Sequence, residues 1–171
     1  MASPKVFFFS DIHFGHKNLV QQLRKFQDEF YHDEHIIEQW NKKVLSPKDI
    51  IYILGDITME KINSYPQLDR LRGIKHVVSG NHDLRQHCRE LLKYVDSISG
   101  MIDYKGFILT HCPIHESIVH ESRGNIHGHI HGNHILLSNG ERDPRYLNVC
   151  AEVINYTPIT MEELLAKYGR A

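Results

Sequence analysis

Five stretches of this 171-residue chain share one grammar: an apolar run stops, and residues that bind metals or move protons follow at once. They end in Asp11-Ile12-His13, Gly55-Asp56, Gly80-Asn81-His82-Asp83, Thr110-His111 and Gly128-His129-Ile130-His131. None of these polar groups suits a core. In α/β sheets, ligands bind outside the carboxyl ends of strands, so groups far apart in sequence converge there. The feature therefore demands a sheet whose strands deliver their ends to one place. Asp11 and His13 are two residues apart, as are His129 and His131, and an extended backbone would point each pair to one side. Gly55, Gly80 and Gly128 precede ligands, where a small residue lets the chain turn tightly.

The rest of the chain supplies elements for such a fold. Val6–Phe9 reads as a strand buried on both faces. "NLVQQLRKF" and "HDEHIIEQWNKKVL" carry apolar residues at helical spacing, and "IIYILGD" reads as a second buried strand. Residues 60–72 predict a helix interrupted by Pro66, "KHVVSGNHD" a third strand, and 84–93 another helix. Short strands follow, with turns at Lys105-Gly106 and Asn139-Gly140 and a last strand over "YLNVCAEVINY". Thr160 with Glu163 fits a capping box that opens a C-terminal helix. The first half is βαβ-like and the second mostly β. The expectation is one α/β domain over residues 1–171, two packed sheets with helices outside.

Composition removes several functional classes. The formal net charge is −1, so no global field draws the chain to nucleic acid or an anionic membrane. The opening apolar run is too short for a membrane span or a signal-peptide core. Three widely spaced cysteines, Cys88, Cys112 and Cys150, read as reduced thiols and predict a cytoplasmic location. The 14 histidines are not bunched like a tag. His32, His35, His76, His87 and His120 read as surface or hydrogen-bonded residues. Cys112 follows His111, and extended neighbours face opposite ways, so it is left out of the ligand set.

In order, the motifs "DIH" (11–13), "GD" (55–56), "GNHD" (80–83), "H" (111) and "GHIH" (128–131) match the pattern of the calcineurin-like metallophosphoesterases. "SDIHFGHKN" and "LNVCAEVINYTPITMEEL" resemble its compact bacterial and phage members, so the likeness covers nearly the whole chain. The resemblance implies a four-layer αββα sandwich of two mixed sheets flanked by helices, with a two-metal site. It assigns Asp11, His13, Asp56 and His131 to one ion, and Asp56, Asn81, His111 and His129 to the other, with Asp56 bridging. It makes His82 the catalytic histidine and Asp83 its orienter.

On that assignment the site keeps about one positive charge, since two divalent ions outweigh two carboxylates and a bridging hydroxide. That suits an anionic phosphoryl group. Imidazole, amide and carboxylate ligands favour Mn, Fe, Ni, Co or Zn over Mg or Ca. The resemblance favours Mn2+. His16 and Arg85 are candidates for contact with substrate phosphate, with a surface role as the alternative. His115 and His127 flank ligands and stay open in the same way.

The function expected is a hydrolase of phosphoric ester bonds, acting through a two-metal-bridged hydroxide on a small phosphodiester such as a nucleotide, with no membrane partner. A phosphomonoesterase and a nuclease are the alternatives. Protein phosphatases of the superfamily carry an Asp-Arg-Gly element after the second motif, whereas "GDITMEK" stands here. A non-catalytic interaction module is a further alternative, but members of that kind lose the catalytic histidine, and His82 is present.

Overall fold

The computed structural model describes residues 3–59 and 61–170. The chain begins with β1 (Val6–Phe9), makes a π-helical turn at Leu19–Leu23, and enters α1 (Glu29–Lys43). β2 (Ile50–Ile53), a 3-10 segment (Ile62–Arg70) and β3 (Ile74–Val78) follow. A 3-10 turn (Arg85–His87) leads into α2 (Cys88–Leu91), then β4 (Ser97–Ser99), β5 (Ile102–Tyr104) and β6 (Phe107–Leu109). The chain continues through α3 (Glu116–Val119), β7 (Gly124–His127), β8 (Tyr146–Asn148), β9 (Ile159–Thr160) and α4 (Met161–Lys167).

These strands form two mixed sheets. The first has the order β4-β3-β2-β1-β9, parallel except for antiparallel β9 at its edge. The second has the order β5-β6-β7-β8, with β5 antiparallel to β6 and the remaining pairs parallel. Helices flank the sheets, giving the α/β sandwich that the motifs implied. β1 shows why both of its faces must be apolar. Phe8 points between the sheets, stacking on Tyr52 of β2 at 5.9 Å and meeting the Tyr104 ring of β5 at 5.6 Å. Phe9 points the other way, 5.5 Å from Trp40 of α1. Alternation along the strand thus feeds two cores at once.

The turn at Lys105-Gly106 joins β5 to β6 with both residues at positive φ, 53° and 81°, as a two-residue I′ hairpin turn requires. The capping box at Thr160 and Glu163 is present, with both side chains bonded to backbone. Other expectations shrink. The helix expected from "NLVQQLRKF" is a single π-helical turn, the one containing Pro66 is 3-10, and the one over 84–93 is a 3-10 turn plus α2. "YLNVCAEVINY" is a strand only to Asn148. The Asn148 side chain then bonds His131 O, Asn133 O and Cys150 N, and Asn155 and Tyr156 turn back at positive φ.

Candidate metal centre

All five motifs follow strands: Asp11 and His13 after β1, Asp56 after β2, residues 80–83 after β3, His111 after β6, and His129 and His131 after β7. The loops are laced together by backbone. Asp11 N donates to Gly55 O at 3.0 Å, and His13 N to Asp56 O at 3.0 Å. The spacing of two brings Asp11 and His13 into one group, but not through an extended chain, and it sends His129 and His131 to different groups. Asp11, His13, Asp56, His129 and His131 all sit at positive φ, between 50° and 70°. That region is costly for residues with a Cβ and clusters at functional sites.

The glycines serve close approach. A Cβ on Gly80 would stand 2.3 Å from Asp56 Oδ1, and one on Gly128 would stand 1.9 Å from Ser10 Oγ and 2.3 Å from Asp11 Oδ2. Only a hydrogen at these positions lets the ligand-bearing loops touch.

The ligand atoms fall into overlapping groups. Those of Asp11, His13 and His131 lie within 4.8 Å of one another, as do those of Asp11, Asp56 and His111. His13 Nε2 is 3.7 Å from both Asp11 Oδ1 and Asp56 Oδ2. On the other side, His111 Nε2 lies 2.9 Å from Asn81 Oδ1, 3.2 Å from His129 Nδ1 and 3.4 Å from Asp56 Oδ2.

This donor set fits a divalent cation. Asp11 Oδ1 and both ring nitrogens of His13 are buried, with no hydrogen-bond partner among the described residues. His111 Nδ1 bonds Leu54 O at 2.7 Å, so a neutral ring turns a bare lone pair at Nε2 toward Asn81 and Asp56 oxygens. Such crowding of acceptors calls for a positive charge. In the protein alone a proton is favoured there: burial lowers the His111 pKa, but the Asp56 carboxylate, with Asp11 and Leu54 O, more than offsets it and the net shift is upward. Asp11 shows the converse. Burial would raise its pKa, yet His13, the Ser10 hydroxyl and His111 hold it well below the usual carboxylate range. Asp56 is lowered in the same way, burial being outweighed chiefly by His111.

His131 is oriented by a residue that no motif marks. Its Nδ1 bonds Glu152 Oε1 at 2.7 Å, which fixes the tautomer and leaves Nε2 for the site. Glu152 Oε2 accepts from Arg24 Nη2 at 2.9 Å. Arg24 is buried, and its guanidinium also donates to Asp11 O at 2.5 Å and Ile12 O at 3.0 Å, with His32 Nε2 at 2.8 Å. His32 is therefore buried and hydrogen-bonded rather than on the surface. Glu152 sits in a stretch that reads as strand, and Arg24 in one that reads as helix.

Asp83 accepts hydrogen bonds from the backbone of two motif loops. Its Oδ2 accepts from Asp56 N at 2.8 Å and Gly80 N at 2.9 Å, and its Oδ1 from Ile57 N at 3.1 Å. It clamps the second and third motif loops to each other. Burial raises its pKa despite these bonds. His82 N donates to Asp56 Oδ1 at 3.0 Å, and the His82 ring lies edge-on to His13 at 5.9 Å, over the centre.

His16 is half-buried against His13 at 5.4 Å, and burial pushes its pKa down to about 4, so it is neutral at the rim. The Arg85 side chain lies outside the described residues. His115 caps α3 through Ser117 N at 3.2 Å, and His127 is buried with Nδ1 on Gly128 O at 2.9 Å; neither joins the ligand groups. Cys112 does. Its sulfur lies within 4.8 Å of the His111 and His129 ligand atoms, because the chain bends after β6 instead of running extended.

Comparisons with known proteins agree with this geometry. An uncharacterized protein of Methanocaldococcus jannaschii is 32% identical over 95% of this chain and 90% of its own length. The structure of an Aquifex aeolicus protein of unknown function matches with a TM-score of 0.71 at 27% identity, covering 95% of this chain and 98% of that one. A novel archaeal phosphodiesterase shares the fold, with a TM-score of 0.51 at 16% identity over 85% of this chain and 82% of that one. The family model for calcineurin-like phosphoesterases matches residues 4–170, and the chain belongs to that family.

Proposed function

We propose that this protein is a metal-dependent phosphodiesterase that holds two divalent transition-metal ions on ligand sets sharing Asp56. One observation carries the two-ion reading: Asp56 Oδ2 faces both halves of the centre, 3.7 Å from His13 Nε2 and 3.4 Å from His111 Nε2. Asp11, His13, Asp56 and His131 would hold one ion, and Asp56, Asn81, His111 and His129 the other. Manganese is the ion that the family resemblance favours. Bound there, the ions would draw charge from phosphoryl oxygens and acidify a water for attack on phosphorus.

The chain's own residues supply the rest. Leu54 O and Glu152 fix the tautomers of His111 and His131, so each presents Nε2 without reorganisation. Asp83 holds the loops that carry Asp56 and Asn81. His82, anchored through its backbone to Asp56, stands where it can hand a proton to the departing oxygen.

The charge inventory favours a diester over a monoester, which carries about one more negative charge. Among the described residues, His16 is neutral, Arg24 is committed inward to Asp11 O, Ile12 O and Glu152, and Lys61 Nζ is held on Gly15 O at 2.6 Å. Steady-state rates with Mn2+ on bis(p-nitrophenyl) phosphate and p-nitrophenyl phosphate test this. Diester turnover should be the faster, and EDTA should abolish both. Equal or faster monoester turnover overturns the diesterase assignment. His82→Ala should keep its metal and lose roughly 10²–10⁴ in rate on an alkyl or nucleoside diester, and far less on a nitrophenyl diester, whose leaving group departs unaided. Metal lost in proportion to activity would make His82 a ligand instead.

A further inference from the structure

The bend after β6 sets two potential ligands side by side. Thr110 Oγ1 donates to Cys112 O at 2.7 Å and accepts from the buried Asn125 Nδ2 at 2.9 Å, so the segment carrying His111 and Cys112 is pinned from beneath. The Cys112 sulfur lies in one group with a ring nitrogen each of His111 and His129, while its residue stays exposed. The neighbouring group shares His111 and contains a carboxylate oxygen of Asp11, whose Oδ1 is buried and unpartnered among the described residues, so the space beside them suits a cation. The other two cysteines are placed differently: Cys150 is buried on Asp11 Oδ2 at 3.2 Å, and Cys88 bonds Leu84 O at 3.8 Å.

We propose that Cys112 is a further ligand of the ion held by Asp56, Asn81, His111 and His129, and that it biases this position toward metals that accept thiolate. The inference rests on the two-ion reading above. A thiolate adds a soft, anionic donor to a shell of imidazole and oxygen, which favours zinc, cobalt or iron there over manganese. Coordination requires the thiol proton to leave for solvent, so loading that ion releases one proton more than an all-imidazole and oxygen shell does.

Metal titrations of the full-length chain test this, with Cys112→Ser and Cys88→Ser as variant and control. Wild type loaded with Co2+ should show a thiolate-to-cobalt absorption in the near ultraviolet, which Cys112→Ser lacks and Cys88→Ser keeps. The Zn2+ dissociation constant of the weaker ion should rise ~10–100-fold in Cys112→Ser, the scale on which metal sites respond to a lost supporting group, while Mn2+ affinity moves far less. Proton release on Zn2+ loading should fall by one per chain. Two ions bound by wild type, with the absorption absent and zinc affinity unchanged in Cys112→Ser, overturn the role of Cys112 and leave the two-ion reading standing. Fewer than two ions bound by wild type overturns both.

Discussion

Glu152 has two tasks, and they can be separated. One oxygen fixes the His131 tautomer and the other pairs with Arg24, whose guanidinium also holds the backbone beside the strained Asp11 and His13. Removing the charge with Glu152→Gln leaves a buried arginine without its carboxylate, a change that typically costs about 3–5 kcal/mol. It also weakens an oriented ligand, typically by ~10–100-fold in metal affinity. Calorimetric melting and metal titration should therefore both shift, and the affinity loss should fall on one ion of two. Unchanged affinity at both ions would reduce Glu152 to a brace for Arg24. The candidate ligands were legible because motif spacing is local. Their support was not: Glu152 lies 128 residues from Arg24, and no local pattern announces that contact. The spacing of two put Asp11 and His13 in the right company for an incorrect reason, since positive φ and not extension aims them, and it failed for His129 and His131, which join different groups.

At the scale of elements, what periodicity could read was a long amphipathic pattern. α1 forms where Ile36, Ile37 and Trp40 are buried at helical spacing, and Asp28 caps it through Tyr31 N. Shorter patterns failed because tertiary contacts decide so few turns: the Pro66 segment tightens to 3-10, and the chain after β8 is turned by Asn148. The loops that leave the strands are fixed by clearance. Gly128 carries no demand for positive φ, yet its missing Cβ is what lets the fifth and first motif loops meet at Ser10 and Asp11. Gly128→Ala should therefore cost about 1–3 kcal/mol through overpacking and reduce metal affinity as well, because the displaced group carries Asp11. Gly132→Ala is the control, since a Cβ there meets nothing within 4 Å. Equal behaviour of the two variants in melting and metal titration would show that the loops have slack.

The whole molecule couples its stability to the centre. A ligand that binds only the folded chain stabilises it by about 4 kcal/mol at a thousandfold excess over its dissociation constant, so stripping the metals should lower the melting temperature by roughly 10 °C for each tightly held ion. The size of that drop depends on pH. In the metal-free fold His111 is raised above 6.5, burial being outweighed by Asp56, and His131 is raised chiefly by its bond to Glu152. A raised histidine stabilises fully below its unfolded value of 6.5, and that contribution is lost as pH rises through the folded value. Asp11 and Asp56 are lowered from 3.8, so their contribution is present above that value and constant near neutrality. His16 and His127, pushed down to about 4 by burial, behave alike with and without metal and cancel in the comparison. Relative to the metal-loaded protein, whose ions would occupy the place of those protons, the metal-free protein should therefore weaken as pH rises above 6.5. Melting curves with and without EDTA across that range should show a gap that widens with pH. A gap that stays constant would mean that His111 and His131 do not exchange protons for metal, and the ligand assignment at both would fall.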